Sequence, residues 1–160
     1  MPKMTGAQAL TKSLIDYGID TIFTLPGAQL DPMFDALYDE KERIKVIHTR
    51  HEQGTSYMAF GYAQSTGRVG VNLVVPGPGL LNASAGLSTA FACGAKVLCL
   101  AGQIPSKLIG GGIGQLHELA DQPGAVASVT KWRGRAEEPE DAPERVREAF
   151  IQLNTGRTQP

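Results

Sequence analysis

Four apolar runs of strand length, residues 21–25, 44–49, 71–75 and 97–100, are separated by stretches whose apolar residues repeat at helical spacing. Two strands joined through a helix rejoin one sheet in parallel, whereas antiparallel neighbours need only a short turn. The chain is therefore expected to form an α/β domain, a three-layer open parallel sheet with helices on both faces. The runs 71–75 and 97–100 have the length and apolar character of strands covered on both sides.

Local signals place the helices between these runs. Ala7, Leu10, Leu14 and Ile15 follow helical spacing after Thr5, and Gly18 supplies a stop. Asp31 and Pro32 open a helix over 33–38. The helix expected over 51–65 ends at Gly67 and carries Gly54, Ala59, Gly61 and Ala63, small residues that imply close approach of another backbone. Another helix is expected over 80–93, stopped by Gly94. Beyond it, 126–132 reads as an edge strand, 137–142 as a polar connector, and 143–153 as a final helix with proline in its first turn. Residues 109–114 are too glycine-rich to hold a fixed backbone unaided, so their order is expected to come from a partner.

A chain of 160 residues with net charge −1, 42% hydrophobic and 19% charged side chains suits one compact domain. Its basic residues are scattered singly, which excludes the cationic stripe that a nucleic-acid partner requires. The N-terminal residues Met1 to Gly6 lack the apolar core of a signal peptide. Lys96 interrupts the apolar run around residues 93–101 before it could span a bilayer, so no membrane association and a cytoplasmic location are expected. Cys93 and Cys99 have neither disulfide-framework nor zinc-ribbon spacing and read as buried, reduced thiols.

In an open parallel sheet, ligands bind beyond the carboxyl ends of the strands. Four strand exits share that rim: Pro26, Gly27, Ala28 and Gln29; His51, Glu52 and Gln53; Pro76 to Gly79; and Gly102 to Pro105. Glu52 is the lone carboxylate between Glu42 and Glu118, and it stands where a strand gives way to a helix. The exits carry too little charge to hold phosphate or a metal. Gly77-Pro78-Gly79-Leu80-Leu81-Asn82 echoes a dinucleotide-binding turn, but Asn82 stands in place of the third glycine and Pro78 lacks an N–H for phosphate.

Several segments, in order and spacing, resemble one known family: Thr24-Leu25-Pro26-Gly27, Arg50-His51-Glu52-Gln53-Gly54, Met58-Ala59-Phe60-Gly61-Tyr62-Ala63, Gly67 to Val71, and Pro76 to Asn82. Together they resemble the N-terminal pyrimidine-binding domain of thiamine-diphosphate enzymes, nearest to the acetolactate synthase branch. The resemblance covers nearly the whole chain and implies that residues 1–160 are the first domain of a longer enzyme, whose middle and C-terminal diphosphate-binding domains are absent here.

The resemblance assigns roles. A glutamate at the position of Glu52 bonds N1′ of the cofactor's aminopyrimidine and promotes the tautomer that deprotonates the thiazolium. The enzyme decarboxylates a 2-keto acid, pyruvate by default, and transfers the acyl-anion equivalent to a second carbonyl compound. Pro76, Gly77, Gly79 and Asn82 would line the pyrimidine pocket. Pro26, Gly27 and Ala28 would face substrate, and Gln115 would act catalytically from the glycine-rich loop. His117 matches a proton donor of some decarboxylases or is a solvated loop residue, His48 reads as structural, and His51 as a hydrogen-bonding neighbour of Glu52.

The family's Gly-Asp-Gly motif for diphosphate and Mg²⁺ does not occur in this sequence. The piece is therefore expected to be inactive alone, with FAD possible through the middle domain. A homodimer or homotetramer is implied for the complete protein, because the family's active sites lie between subunits, and the isolated piece should expose apolar surface. The alternatives are a 2-keto acid decarboxylase or lyase of the same superfamily, a nucleotide-binding α/β module, and a non-catalytic interaction domain.

Overall fold

The computed structural model describes residues 3–160; Met1 and Pro2, which begin the stretch read as lacking a signal-peptide core, lie outside the described residues. Four strands, β1 (Thr21–Thr24), β2 (Lys45–His48), β3 (Gly70–Val74) and β4 (Val97–Ala101), form one sheet in the order β2-β1-β3-β4. Every pairing is parallel, with Ile22 beside Val46 and Val71, and Val71 beside Leu98. The longer helices are α1 (Gly6–Asp16), α2 (Asp31–Asp39), α3 (Glu52–Thr66), α4 (Pro78–Cys93) and α6 (Ala142–Asn154), with a single turn, α5 (Gln122–Ala125), between α4 and α6.

Side-chain alternation divides the interior in two. Ile22, Val71 and Leu73 face Leu14, Leu37, Val146 and Phe150 on the side of α1, α2 and α6. Phe23 and Val74 face Ala59, Ala83 and Leu87 on the side of α3 and α4. The three-layer expectation is met, and β3 is buried along its whole length.

The helix ends follow side-chain chemistry. Thr5 and Gln8 exchange reciprocal bonds at the start of α1. Gly67 and Gly94 close α3 and α4 in the left-handed conformation that side chains disfavour. Lys131 Nζ donates to the carbonyls of Gln152 and Thr155 at the end of α6, where a cation offsets the unpaired acceptors.

Three expectations are corrected. Residues 126–132 form no strand: a 3₁₀ turn runs from Ala127 to Val129. Val126 and Val129, three apart, both reach the core beside α4, and that spacing belongs to a helical turn. The close backbone approach expected of α3 is met at Ala59, whose carbonyl a Cβ on Gly70 would strike, and opposite Gly86, where a Cβ would strike Ser56, but not at Gly61, where a Cβ would meet open space.

Cys93 is exposed at the end of α4. Cys99 is half-buried against the core, and burial pushes its thiol up to about 12 against a hydrogen bond from Asn72, so it stays protonated. Finally, the glycine-rich segment finds hydrogen-bond partners within its own chain. The Glu118 carboxylate accepts from the backbone N–H groups of Gly112, Gly114 and Gln115, each at 2.9 Å.

Candidate functional site

All strands being parallel, their exits share one rim, and α3 and α4 both begin on it. His51 caps α3: its Nδ1 accepts from the Gln53 N–H at 3.1 Å, so the capping nitrogen is the unprotonated one. The imidazole thus serves the backbone rather than Glu52, contrary to the sequence reading. Thr49 Oγ1 donates to the His51 carbonyl at 2.8 Å and fixes the bend into the helix.

Glu52 is the first residue of α3 and half-buried. Its Oε2 accepts from Asn82 Nδ2 at 3.0 Å, across from the second turn of α4. An isolated first-turn carboxylate is electrostatically at home on any helix; the amide from a second helix is what gives this one a defined orientation.

The turn between β3 and α4 is built without side chains where it meets that carboxylate. A Cβ on Gly79 would collide with Val75 and stand 3.5 Å from Glu52 Oε1. A Cβ on Gly27 would strike the other γ-methyl of Val75, so this one side chain wedges between the exits of β1 and β3. Gly77 has φ +60 and presses on the backbone of His117. Pro76 is buried beside it, while Pro26 and Ala28 are exposed.

Gln122, absent from the sequence reading, ties two exits together. Its Oε1 accepts from the Gly77 N–H at 3.3 Å and its Nε2 donates to the Gly102 carbonyl at 2.9 Å. With that N–H taken and Pro78 having none, the turn has little left to offer a phosphate, which argues against the nucleotide-binding alternative.

The glycine-rich loop brings His117 rather than Gln115 to this turn. His117 is the one non-glycine residue with positive φ among the described residues. Its Nδ1 lies 3.0 Å from Gln29 Oε1, while Gln29 Nε2 donates to the Leu116 carbonyl at 3.4 Å. Because that carbonyl can only accept, the Gln29 oxygen faces the ring, and Nδ1 carries the proton. Gln115 is half-buried and bonds through its backbone to Glu118; its side chain makes no hydrogen bond among the described residues. The structure therefore joins Glu52, Asn82 and Gly79 directly, adds Pro76, Gly77 and Gly27 through the turn and Val75, and gives Ala28 and Gln115 no hydrogen bond to Glu52 among the described residues.

Glu118 is the loop's internal clamp, so Glu118→Ala is expected to speed proteolytic cleavage within 109–116 roughly tenfold while leaving cleavage elsewhere unchanged. Timed digestion followed by mass spectrometry checks this. No effect on the loop would show that other contacts hold it.

A cleft of about 570 Å³ lies elsewhere, between the β4 edge, α1, α6 and Trp132. Glu52 and Asn82 are not among its walls. Among the described residues, no group of three or more His, Cys, Asp or Glu side chains could hold a metal ion, and no helix is long and apolar enough to cross a membrane.

A parallel sheet that gathers a carboxylate, an amide and side-chain-free turns at its C-terminal rim defines a ligand-binding α/β domain. A family model described as thiamine pyrophosphate enzyme, N-terminal TPP binding domain, matches residues 4–125. Over 157 residues, 98% of this chain, it is 40% identical to a protein of Methanocaldococcus jannaschii named probable acetolactate synthase large subunit, covering 26% of that protein. It is 35% identical over the same share to a probable 2-ketoarginine decarboxylase of Pseudomonas aeruginosa, covering 28%. It is also 35% identical to the mitochondrial acetolactate synthase catalytic subunit of Saccharomyces cerevisiae, covering 98% of this chain and 22% of that protein.

The chain belongs to the family of N-terminal TPP binding domains of thiamine pyrophosphate enzymes. It is homologous to acetolactate synthase large subunits and spans about a quarter of the length of the curated relatives it matches.

Proposed function

We propose that this chain forms the aminopyrimidine side of the active site in a larger enzyme that decarboxylates a 2-keto acid, pyruvate by default, and passes the acyl-anion equivalent to a second carbonyl compound. The observation that carries this reading is the half-buried Glu52 carboxylate, oriented by Asn82 beside a turn whose glycines leave its second oxygen unobstructed.

The residues fit the ring of thiamine diphosphate. A carboxylate oxygen can accept from a protonated ring nitrogen, and a Cβ at Gly79 would occupy space beside Oε1. When bound, the cofactor supplies the electron sink for decarboxylation. This chain's residues supply the rest: Glu52 holds a proton at the ring nitrogen, Asn82 keeps the carboxylate from swinging away, and Gly77 and Gly79 let the turn approach. Pro26, Gly27 and Ala28 would form the substrate-side wall, with Gln115 or His117 reaching in from the glycine-rich loop.

The chain's own charges do not suit diphosphate with Mg²⁺, which belong in this reading to a C-terminal domain of the complete protein, as FAD would to a middle domain. Tyr57, Met58 and Leu81, on the two helices that carry Glu52 and Asn82, are 40%, 40% and 44% exposed. That apolar surface beside the site supports a homodimer or homotetramer, in which a second subunit covers Glu52 and completes its dry environment.

A simple decarboxylase is the second reading, favoured by His117, whose strained backbone sets an imidazole of fixed tautomer next to the Gly77 turn. Product analysis of the complete protein with pyruvate, thiamine diphosphate and Mg²⁺ separates the two: acetolactate is expected, and acetaldehyde alone would favour the decarboxylase. The 160-residue chain is expected to show no turnover and no micromolar cofactor binding by calorimetry. Tight binding by the chain alone would overturn the assignment of diphosphate and Mg²⁺ to another domain.

A further inference from the structure

Asn72 stands in the middle of β3, between Phe23 of β1 and Cys99 of β4, with no solvent exposure. A side-chain amide there is costly, because every polar atom it brings must find a partner inside the sheet–helix layer. Its Nδ2 finds two, Thr55 Oγ1 at 3.3 Å and Cys99 Sγ at 3.4 Å. Its Oδ1 finds none.

The orientation of this amide is set by Thr55. The Thr55 hydroxyl is fully buried and donates its proton to the Glu52 carbonyl at 2.7 Å, so toward Asn72 it can only accept. Turning the amide to satisfy Oδ1 at Cys99 would place an acceptor against an acceptor at Thr55. The unpaired oxygen is thus the consequence of keeping the bond to Thr55, and that bond ends on the backbone of the residue proposed to do the chemistry.

We propose that Asn72 is a positioning residue: through Thr55 it anchors the first turn of α3 to the centre of the sheet and fixes the carboxylate of Glu52 in depth and direction. The inference rests on the proposed role of Glu52. Asn82 holds that carboxylate from its outer side, near solvent; Asn72 and Thr55 hold its backbone from beneath. The two restraints act on different atoms of one residue, so the loss of either leaves the carboxylate present but less well aimed.

The test uses the complete protein. Asn72→Leu removes the amide, Thr55→Val removes the hydroxyl with little change of shape, and Thr55→Ser keeps the hydroxyl. Without cofactor, hydrogen exchange of the first full turn of α3 is expected to rise about tenfold in the first two variants, with the second half of α3 and all of β3 within about twofold of wild type. With cofactor, kcat for pyruvate is expected to fall about tenfold with KM within about twofold, Thr55→Ser to restore both, and the double variant to be no worse than either single one.

Unchanged exchange in the first turn, or protection lost evenly across the domain, would overturn the proposal and leave Asn72 an ordinary core residue. Strictly additive losses in the double variant would overturn it as well. If Asn72→Leu does not fold, Thr55→Val alone carries the same two readouts. Because exchange is read without cofactor, failure of the anchor is distinguishable from failure of the role given to Glu52, which Glu52→Gln tests separately.

Discussion

Replacing Glu52 with glutamine in the complete protein is expected to lower kcat by about 10²–10⁴-fold, the range that positioned acid–base help usually supplies. Glutamine keeps the length and an oxygen for Asn82 Nδ2, which now donates to Glu52 Oε2 at 3.0 Å. It removes the negative charge that a protonated ring nitrogen requires. The fold should not register the change, since α3 is capped by His51 and its first turn is bonded through Thr55 to the Glu52 carbonyl, not to its side chain. Thermal unfolding within a degree or two of wild type, together with a collapse in turnover, is the expected pair of results. Full turnover in Glu52→Gln would remove the proposed mechanism, because no other carboxylate stands between residues 42 and 118.

Gly77→Ala is expected to lose affinity for thiamine diphosphate by tenfold or more and to destabilise the domain as well. Alanine at φ +60 and ψ −118, a backbone conformation that favours glycine, is disfavoured by about 1–3 kcal/mol before any contact is considered. Its Cβ would then meet the His117 carbonyl oxygen at 2.5 Å, and a backbone atom cannot swing aside as a side chain can. The turn must shift, and in shifting it pulls the Gly77 N–H away from Gln122 and alters the distance between the Gly79 turn and Glu52. Gly79→Ala should be milder: its φ is ordinary, and the colliding atom belongs to the side chain of Val75. Calorimetric titration of the complete protein with cofactor, alongside denaturant unfolding, checks both. Equal effects of the two substitutions would show that the positive φ of Gly77 is not what matters.

The sheet was legible because each strand and helix announces itself within ten or so residues, through an apolar run, a glycine stop or a proline start. Helix α3 was expected from His51 and begins one residue later, because His51 spends its side chain on capping. The strand expected over 126–132 failed because its β-branched and aromatic residues suit a strand, whereas Val126, Val129 and Trp132 lie three apart, a helical-turn spacing that no alternating strand has, and Val126 and Val129 pack beside α4. Glu52 stood out because an isolated acid at a strand exit is a local pattern. Gln122 could not, since its partners Gly77 and Gly102 lie 45 and 20 residues away and the residue itself sits in an unremarkable polar segment. Nor could the clamp on the glycine-rich loop: Glu118 reads as a solvated loop acid until the backbone folds three N–H groups onto it.

That single carboxylate changes how the loop should behave toward a ligand. Six residues with four glycines would ordinarily freeze only on binding, and the lost chain entropy would be subtracted from affinity. Here the freezing has been done beforehand from within, so whatever rests against Leu116 and His117 meets a wall already in place.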